Sequence, residues 1–217
     1  MKKLLIVLLV ACFGTNIHAG DDGGLRFGIN ADPQLSWFSV VNDNSDPEGV
    51  SAGFNFGFFF DYFFAKNYAF NTGINLNNVR GNIKYDTITF SSLDDDATKT
   101  DATYKYKLQY VKLPIGLKFL SNEIGYMKFY AHVGTMAEFN VSSKMVIENK
   151  EQNIQDDVAL FNASYYFGGG IEYSLGGSTA LCMGLIFQNG FMDVTTNKVP
   201  DDKSKLINLS LRLGIVF

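Results

Sequence analysis

An all-β fold, an eight-stranded antiparallel up-and-down transmembrane β-barrel, is predicted by three features of this sequence. These are two-residue alternation of apolar and polar side chains, alternation of short and long connections, and an export segment at the start. The final stretch shows the alternation best: Ile207, Leu209, Leu211, Leu213, Ile215 and Phe217 are apolar, while Asn208, Ser210, Arg212, Gly214 and Val216 between them are polar or small until the end. A β-strand sends successive side chains to opposite faces, so this segment has one oily and one wet side. Its length suits the roughly 9 to 11 residues of a tilted strand crossing a bilayer.

The start of the chain reads as a secretory signal peptide over residues 1–19, with the barrel domain over 20–217. Lys2 and Lys3 precede an apolar run over 4–13, and Ala19 supplies a small residue for cleavage. The run is too short to be a spanning helix. A second reading stays open, in which Leu9-Val10-Ala11-Cys12 is a lipobox and Cys12 is acylated. After cleavage at Ala19 only Cys182 remains, so no intramolecular disulfide forms and closure of the sheet must supply the stability, pairing every backbone group and removing both edges. The net charge of -4 becomes more negative once Lys2 and Lys3 are lost, which argues against a nucleic-acid partner. Mean hydropathy near zero fits a barrel whose apolar half is hidden by alternation.

Eight segments carry the strand pattern. Over 25–38, Leu25, Phe27, Ile29, Ala31, Leu35 and Trp37 point outward, with Arg26, Gly28, Asn30, Asp32, Gln34 and Ser36 inward. Over 50–61 the outward face is phenylalanine-rich (Phe54, Phe56, Phe58, Phe60), and Asn55 and Asp61 face in. Over 68–78, Tyr68, Phe70, Ile74 and Leu76 oppose Asn71, Asn75 and Asn77; over 104–120, Val111, Leu113, Ile115, Leu117 and Phe119 oppose Lys112, Pro114 and Lys118. The segment 127–142 points Phe129, Val133, Phe139 and Val141 outward and Lys128, Tyr130, His132, Glu138 and Asn140 inward. The segment 160–173 exposes Phe161, Phe167 and Ile171 with Asn162, Ser164 and Glu172 inside, and 179–191 exposes Leu181, Met183, Leu185 and Phe187. The eighth is the C-terminal stretch.

Connections over 62–67, 121–125 and 174–178 are short, whereas those over 39–49, 79–103, 143–159 and 192–205 are long and polar. Short periplasmic turns opposite long extracellular loops are the layout of outer-membrane barrels. The rival is a soluble barrel with the apolar face inside. An eight-stranded barrel has room only for side chains or one small ligand, and these aromatic faces would overfill it.

The signal segment, the eight alternating strands, the core Tyr110-Val111-Lys112-Leu113-Pro114-Ile115-Gly116-Leu117-Lys118, the glycine-rich strand over 167–171 and the terminal Phe217 together resemble PorT-like outer-membrane β-barrel proteins of Bacteroidota. That resemblance implies a place in the outer membrane among its lipids, delivery by the barrel-assembly machinery with Phe217 as assembly signal, and a link to protein secretion. No motif here carries the secretion role over, because function does not follow from fold.

Inside the barrel, Arg26, Lys112, Lys118, Lys128 and Arg212 are expected to share the lumen with Asp32, Asp61, Glu138 and Glu172. Counted from the short turns, Arg26, Asp61, Lys118, Lys128, Glu172 and Arg212 fall in the periplasmic half. Unpaired buried charge is costly, so these residues predict a salt-bridged plug. A catalytic reading of His132 with Glu138 fails on distance, since six residues along a strand span about 20 Å. Asp94, Asp95, Asp96 and Asp101 lack the spacing of a calcium loop and read as solvated loop, as do Glu148, Glu151, Asp156 and Asp157. No cofactor, metal or catalytic residue is called for. Aromatic residues near strand ends, among them Trp37, Tyr62, Tyr68, Tyr126 and Phe191, suit interfacial girdles. The functional expectation is a plugged barrel acting in binding, assembly or secretion through extracellular loops, where a protein partner would dock, or through the periplasmic rim. A narrow pore and, behind it, a lipid-modifying enzyme are the rivals.

Overall fold

Among the described residues ten strands follow one another: β1 (Leu25–Val40), β2 (Ser45–Pro47), β3 (Ser51–Ala65), β4 (Tyr68–Ile88), β5 (Lys99–Leu120), β6 (Met127–Ile147), β7 (Lys150–Asn153), β8 (Phe161–Gly176), β9 (Thr179–Gly190) and β10 (Ser204–Val216). The computed structural model describes residues 24–40, 45–47, 49–88, 99–147, 150–155, 158–194 and 204–217. The expected signal peptide, Cys12, the Asp94–96 triplet, Glu148, Asp156 and Asp157 lie outside them.

The eight long strands pair antiparallel in the order β1-β3-β4-β5-β6-β8-β9-β10, and β10 returns to β1 through a ladder running from Gly28↔Val216 to Val40↔Ser204. Closure satisfies the backbone groups of every barrel strand without an open edge, the condition for crossing hydrocarbon. The two short strands belong to the extracellular end, where β2 pairs with β4 and β7 with β6.

Two of the connections at one end are tighter than their sequence suggests. β3 and β4 are joined by Lys66 and Asn67 alone, and β8 and β9 by Gly177 and Ser178. Gly177 (φ 63°) and Gly125 (φ 66°) take the left-handed conformation that reverses the chain in so few residues.

At the other end, segments expected to be loops are in part strand, β2 within 39–49 among them. β4 and β5 run on as a ribbon to the Ile88↔Lys99 pair, and β6 continues to Ile147 before β7 folds back on it. A bulge interrupts the β5–β6 ladder near this level: Gln109 faces Ser142 but Tyr110 faces Asn140, so Val141 is an extra residue on β6.

The side chains sort by parity. Outward positions such as Phe58 (50% exposed), Ile74, Leu117, Phe129, Phe167, Leu185 (56%) and Leu213 wrap the barrel in continuous apolar surface. Such an area is far beyond the patches that water-soluble monomers carry and demands a lipid environment. Asn30, Asn55, Asn71, Asn75, Asn77, Asn162 and Asn208 are buried inside. The soluble barrel with an oily interior is thereby ruled out.

Candidate functional site

Charged groups from six strands converge in the lumen. Its periplasmic layer is built by Lys118 of β5, whose Nζ donates to Asp61 Oδ2 on β3 and to Glu172 Oε1 on β8, both at 2.6 Å. Arg26 of β1 donates from Nη2 to the other Glu172 oxygen at 2.7 Å, and Asn71 Nδ2 donates to Asp61 Oδ1. Aromatic faces complete this layer: Lys118 lies 5.5 Å from the Phe59 ring centroid and 5.0 Å from that of Tyr130, and Arg26 lies 5.2 Å from that of Phe63. Lysine and arginine there meet carboxylates and ring faces together.

A second layer holds two further ion pairs. Arg212 Nη2 is 3.3 Å from Asp32 Oδ2, which also accepts from Asn30 and Asn55 at 2.8 Å each. On the facing wall, Lys112 Nζ donates to Gln188 Oε1 at 2.7 Å and lies 3.8 Å from Glu138. Glu138 accepts from Ser164 at 2.7 Å, from Asn162 at 3.2 Å and from Gln188 Nε2. Asp32, Asp61, Glu138 and Glu172 thus each have a cation, and the first three also accept from uncharged polar groups, as burial requires.

Lys128, expected with these charges, does not join them. It is the second residue of β6, its side chain is 39% exposed, and its ion pair at 3.4 Å is with Glu123 in the adjoining turn. Strand parity pointed it inward, but its height puts it at the mouth, beside a cavity of about 350 Å³ that Arg26, Phe63, Glu123, Tyr126 and Glu172 also line. Four cations (Arg26, Lys112, Lys118, Arg212) and four anions (Asp32, Asp61, Glu138, Glu172) remain, so this network is charge-balanced among the described residues.

Between the layers, His132 is buried with its ring edge-on to Tyr130 and Tyr166, at 5.6 and 5.2 Å between centroids. Tyr166 reaches across because Gly116 and Gly134 face each other beneath it; a Cβ on Gly116 would overlap the Tyr166 hydroxyl. Cys182 is buried, with its Sγ 3.4 Å from the Tyr130 hydroxyl. Phe217 stacks on Phe27 at 5.2 Å on the outer surface.

Above the charged layers lies a structure that the alternation of the membrane segments does not announce. Phe38, Val79, Tyr106, Leu108, Tyr110, Met145 and Leu206 point inward and pack with Ile154, Val158 and Val194 from the connections as one buried apolar cluster. A hydrogen bond from Ala159 N to Val194 O (2.9 Å) ties those connections together. The signal for this cap is a change of phase. Below Pro114 the odd positions of β5 are the apolar ones, whereas in Lys105-Tyr106-Lys107-Leu108-Gln109-Tyr110 the even positions are. Once the strands leave lipid, water lies outside, and the apolar side turns in.

A closed antiparallel ladder with lipid-compatible side chains outside and paired charges inside defines an integral outer-membrane barrel. The chain belongs to the family described as outer membrane protein beta-barrel domain, whose pattern matches residues 22–196, and its place is the outer membrane. No curated protein matches it. Among solved structures it is similar to Neisserial surface protein A (12% identity, 88% of this chain and 95% of that one, TM-score 0.48). It is also similar to OprG from Pseudomonas aeruginosa (12% identity, 93% and 98%, TM-score 0.48). Ail, the attachment invasion locus protein of Yersinia pestis, matches at 14% identity over 90% of this chain and 99% of that one, with TM-score 0.42.

Proposed function

We propose that this protein is a barrel with a closed lumen that serves in binding, assembly or secretion as an accessory, through its extracellular loops or its periplasmic rim, and not as a channel or an enzyme. The observation that carries the reading is the filling of the lumen at successive heights: the Lys118–Asp61–Glu172–Arg26 layer, the Arg212–Asp32 and Lys112–Glu138 layer, and the apolar cap. A path for solutes would need a wetted route past all three. Chemistry is disfavoured by the setting of His132, whose ring is enclosed by two tyrosines. The resemblance to PorT-like barrels supports a secretion-linked role and gives Phe217 the part of assembly signal toward the barrel-assembly machinery.

With transport and chemistry set aside, what stays available to a partner are the two ends. Loops on a rigid scaffold are common carriers of binding. In-cell crosslinking of the full-length protein tests this directly. The expected result is a discrete crosslinked partner that disappears when residues 91–102 are deleted or when the rim residues Glu123 and Lys128 are changed. A protein that crosslinks to nothing in either form and conducts ions would overturn the reading in favour of a pore.

A further inference from the structure

The outward face of β4, β5 and β6 changes chemistry in ordered steps toward the extracellular side. Leu76, Val111 and Phe139 form one cross-strand row, then Asn78, Gln109 and Ser142, then Arg80, Lys107 and Lys144. Lys105 stands beyond Lys107 on β5 and is exposed, as are Arg80 and Lys144. Like charges directly opposite each other in a sheet repel. Three cations in consecutive strands therefore call for an anion. Among the described residues one carboxylate answers, that of Glu151 on β7, which pairs with Lys107 and lies 3.4 Å from Lys144. Arg80 and Lys105 have no acidic partner among the described residues.

Height identifies what the anion belongs to. Phe54, an exposed member of the apolar belt, pairs with Asn78, so the cationic row lies two residues beyond that level. Two residues are about 7 Å along a strand, and less along the membrane normal once the strand tilts. The polar headgroup layer on each side of a bilayer is roughly 5–7 Å deep. The row lies on the same face as the lipid-contacting side chains.

We propose that Arg80, Lys107 and Lys144, extended by Lys105, form a site for the phosphate-bearing headgroup of an outer-leaflet lipid, with Glu151 as a built-in competitor that holds two of the lysines apart from it. Guanidinium and ammonium groups side by side match a phosphate through charge-assisted hydrogen bonds.

The test uses the full-length protein in phosphatidylcholine vesicles containing either lipid A or lipid A stripped of its phosphates, and reads how much of each co-purifies with the barrel. Phosphorylated lipid A is expected to be enriched and the stripped form not. The triple variant R80Q/K107Q/K144Q should lose that enrichment by on the order of a hundredfold. Glu151→Gln should raise it, and Lys66→Gln in the periplasmic turn should leave it unchanged. Equal enrichment in the triple variant, or equal enrichment of the stripped lipid, would overturn the proposal. So would competition by inorganic phosphate at matched phosphate concentration, which would make this a loose anion site. If the triple variant does not insert, Arg80→Gln and Glu151→Gln alone decide, since the proposal requires opposite shifts and is overturned by shifts of the same sign.

Discussion

Lys118 and Glu172 meet at 2.6 Å across the lumen although 54 residues separate them in the chain. The same ammonium holds Asp61 at 2.6 Å, so one lysine neutralises two walls of the barrel at once. Replacing it by methionine leaves Asp61 without a cation and Glu172 with Arg26 alone. Loss of one member of a buried ion pair costs about 3–5 kcal/mol, and urea unfolding from lipid vesicles should show a loss of that size. Adding Asp61→Asn to the variant should restore part of it.

Gly116 makes room for the Tyr166 hydroxyl. Gly116→Val should overpack the middle of the lumen and destabilise by roughly 1–3 kcal/mol. Shortening the tyrosine to phenylalanine removes the overlapping atom, so the cost of the glycine change should be smaller in a Tyr166→Phe background. A double-mutant cycle on unfolding free energies reads that coupling.

Leu185 faces lipid in the central part of β9, whereas Gln109 faces outward above the apolar belt. Arginine at the first position should cost about 2–4 kcal/mol and at the second close to nothing. Unfolding of both variants from the same vesicles makes the comparison.

The cap makes the reverse prediction one residue away. Leu108 is 3% exposed inside the apolar cluster, and its neighbour Gln109 points out. Leu108→Asn introduces an amide without a partner and leaves a gap, and should destabilise by about 2–4 kcal/mol, while Gln109→Asn should be nearly silent. Amide exchange in the β4–β5 ribbon is expected to rise only in the first variant.

Glu151 is held below the ordinary carboxylate range by hydrogen bonds and charge from Lys107, then from Lys144. A depressed native value means the pairing supports the β6–β7 hairpin at and above the ordinary carboxylate range. That support is lost as the pH falls through the lowered value. Amide exchange of Lys150–Asn153 should accordingly be steady down to the ordinary range and accelerate below it, and Glu151→Gln should abolish the dependence.

The membrane part of this fold was legible because lipid outside and polar side chains inside leave a period of two that needs no partner to be read. Arg26, Asp61, Lys118 and Glu172 were placed inward by parity alone. Their pairing was not legible, since Lys118 reaches β3 and β8 only after the sheet closes. Lys128 shows the limit of parity, which gives a face but not a height. The cap was missed because the apolar positions of β5 change from odd to even beyond the membrane, because the Val141 bulge turns odd positions of β6 inward, and because Ile154, Val158 and Val194 come from connections with no period at all.

The central claim, that charge layers and an apolar cap together seal the lumen, is tested most directly by recording currents from the full-length protein in planar bilayers. The account predicts a silent membrane at all voltages tolerated by the lipid. Reproducible conductance steps that change when Lys118 or Glu138 is substituted would contradict it, because ions would then be passing the very groups said to close the way.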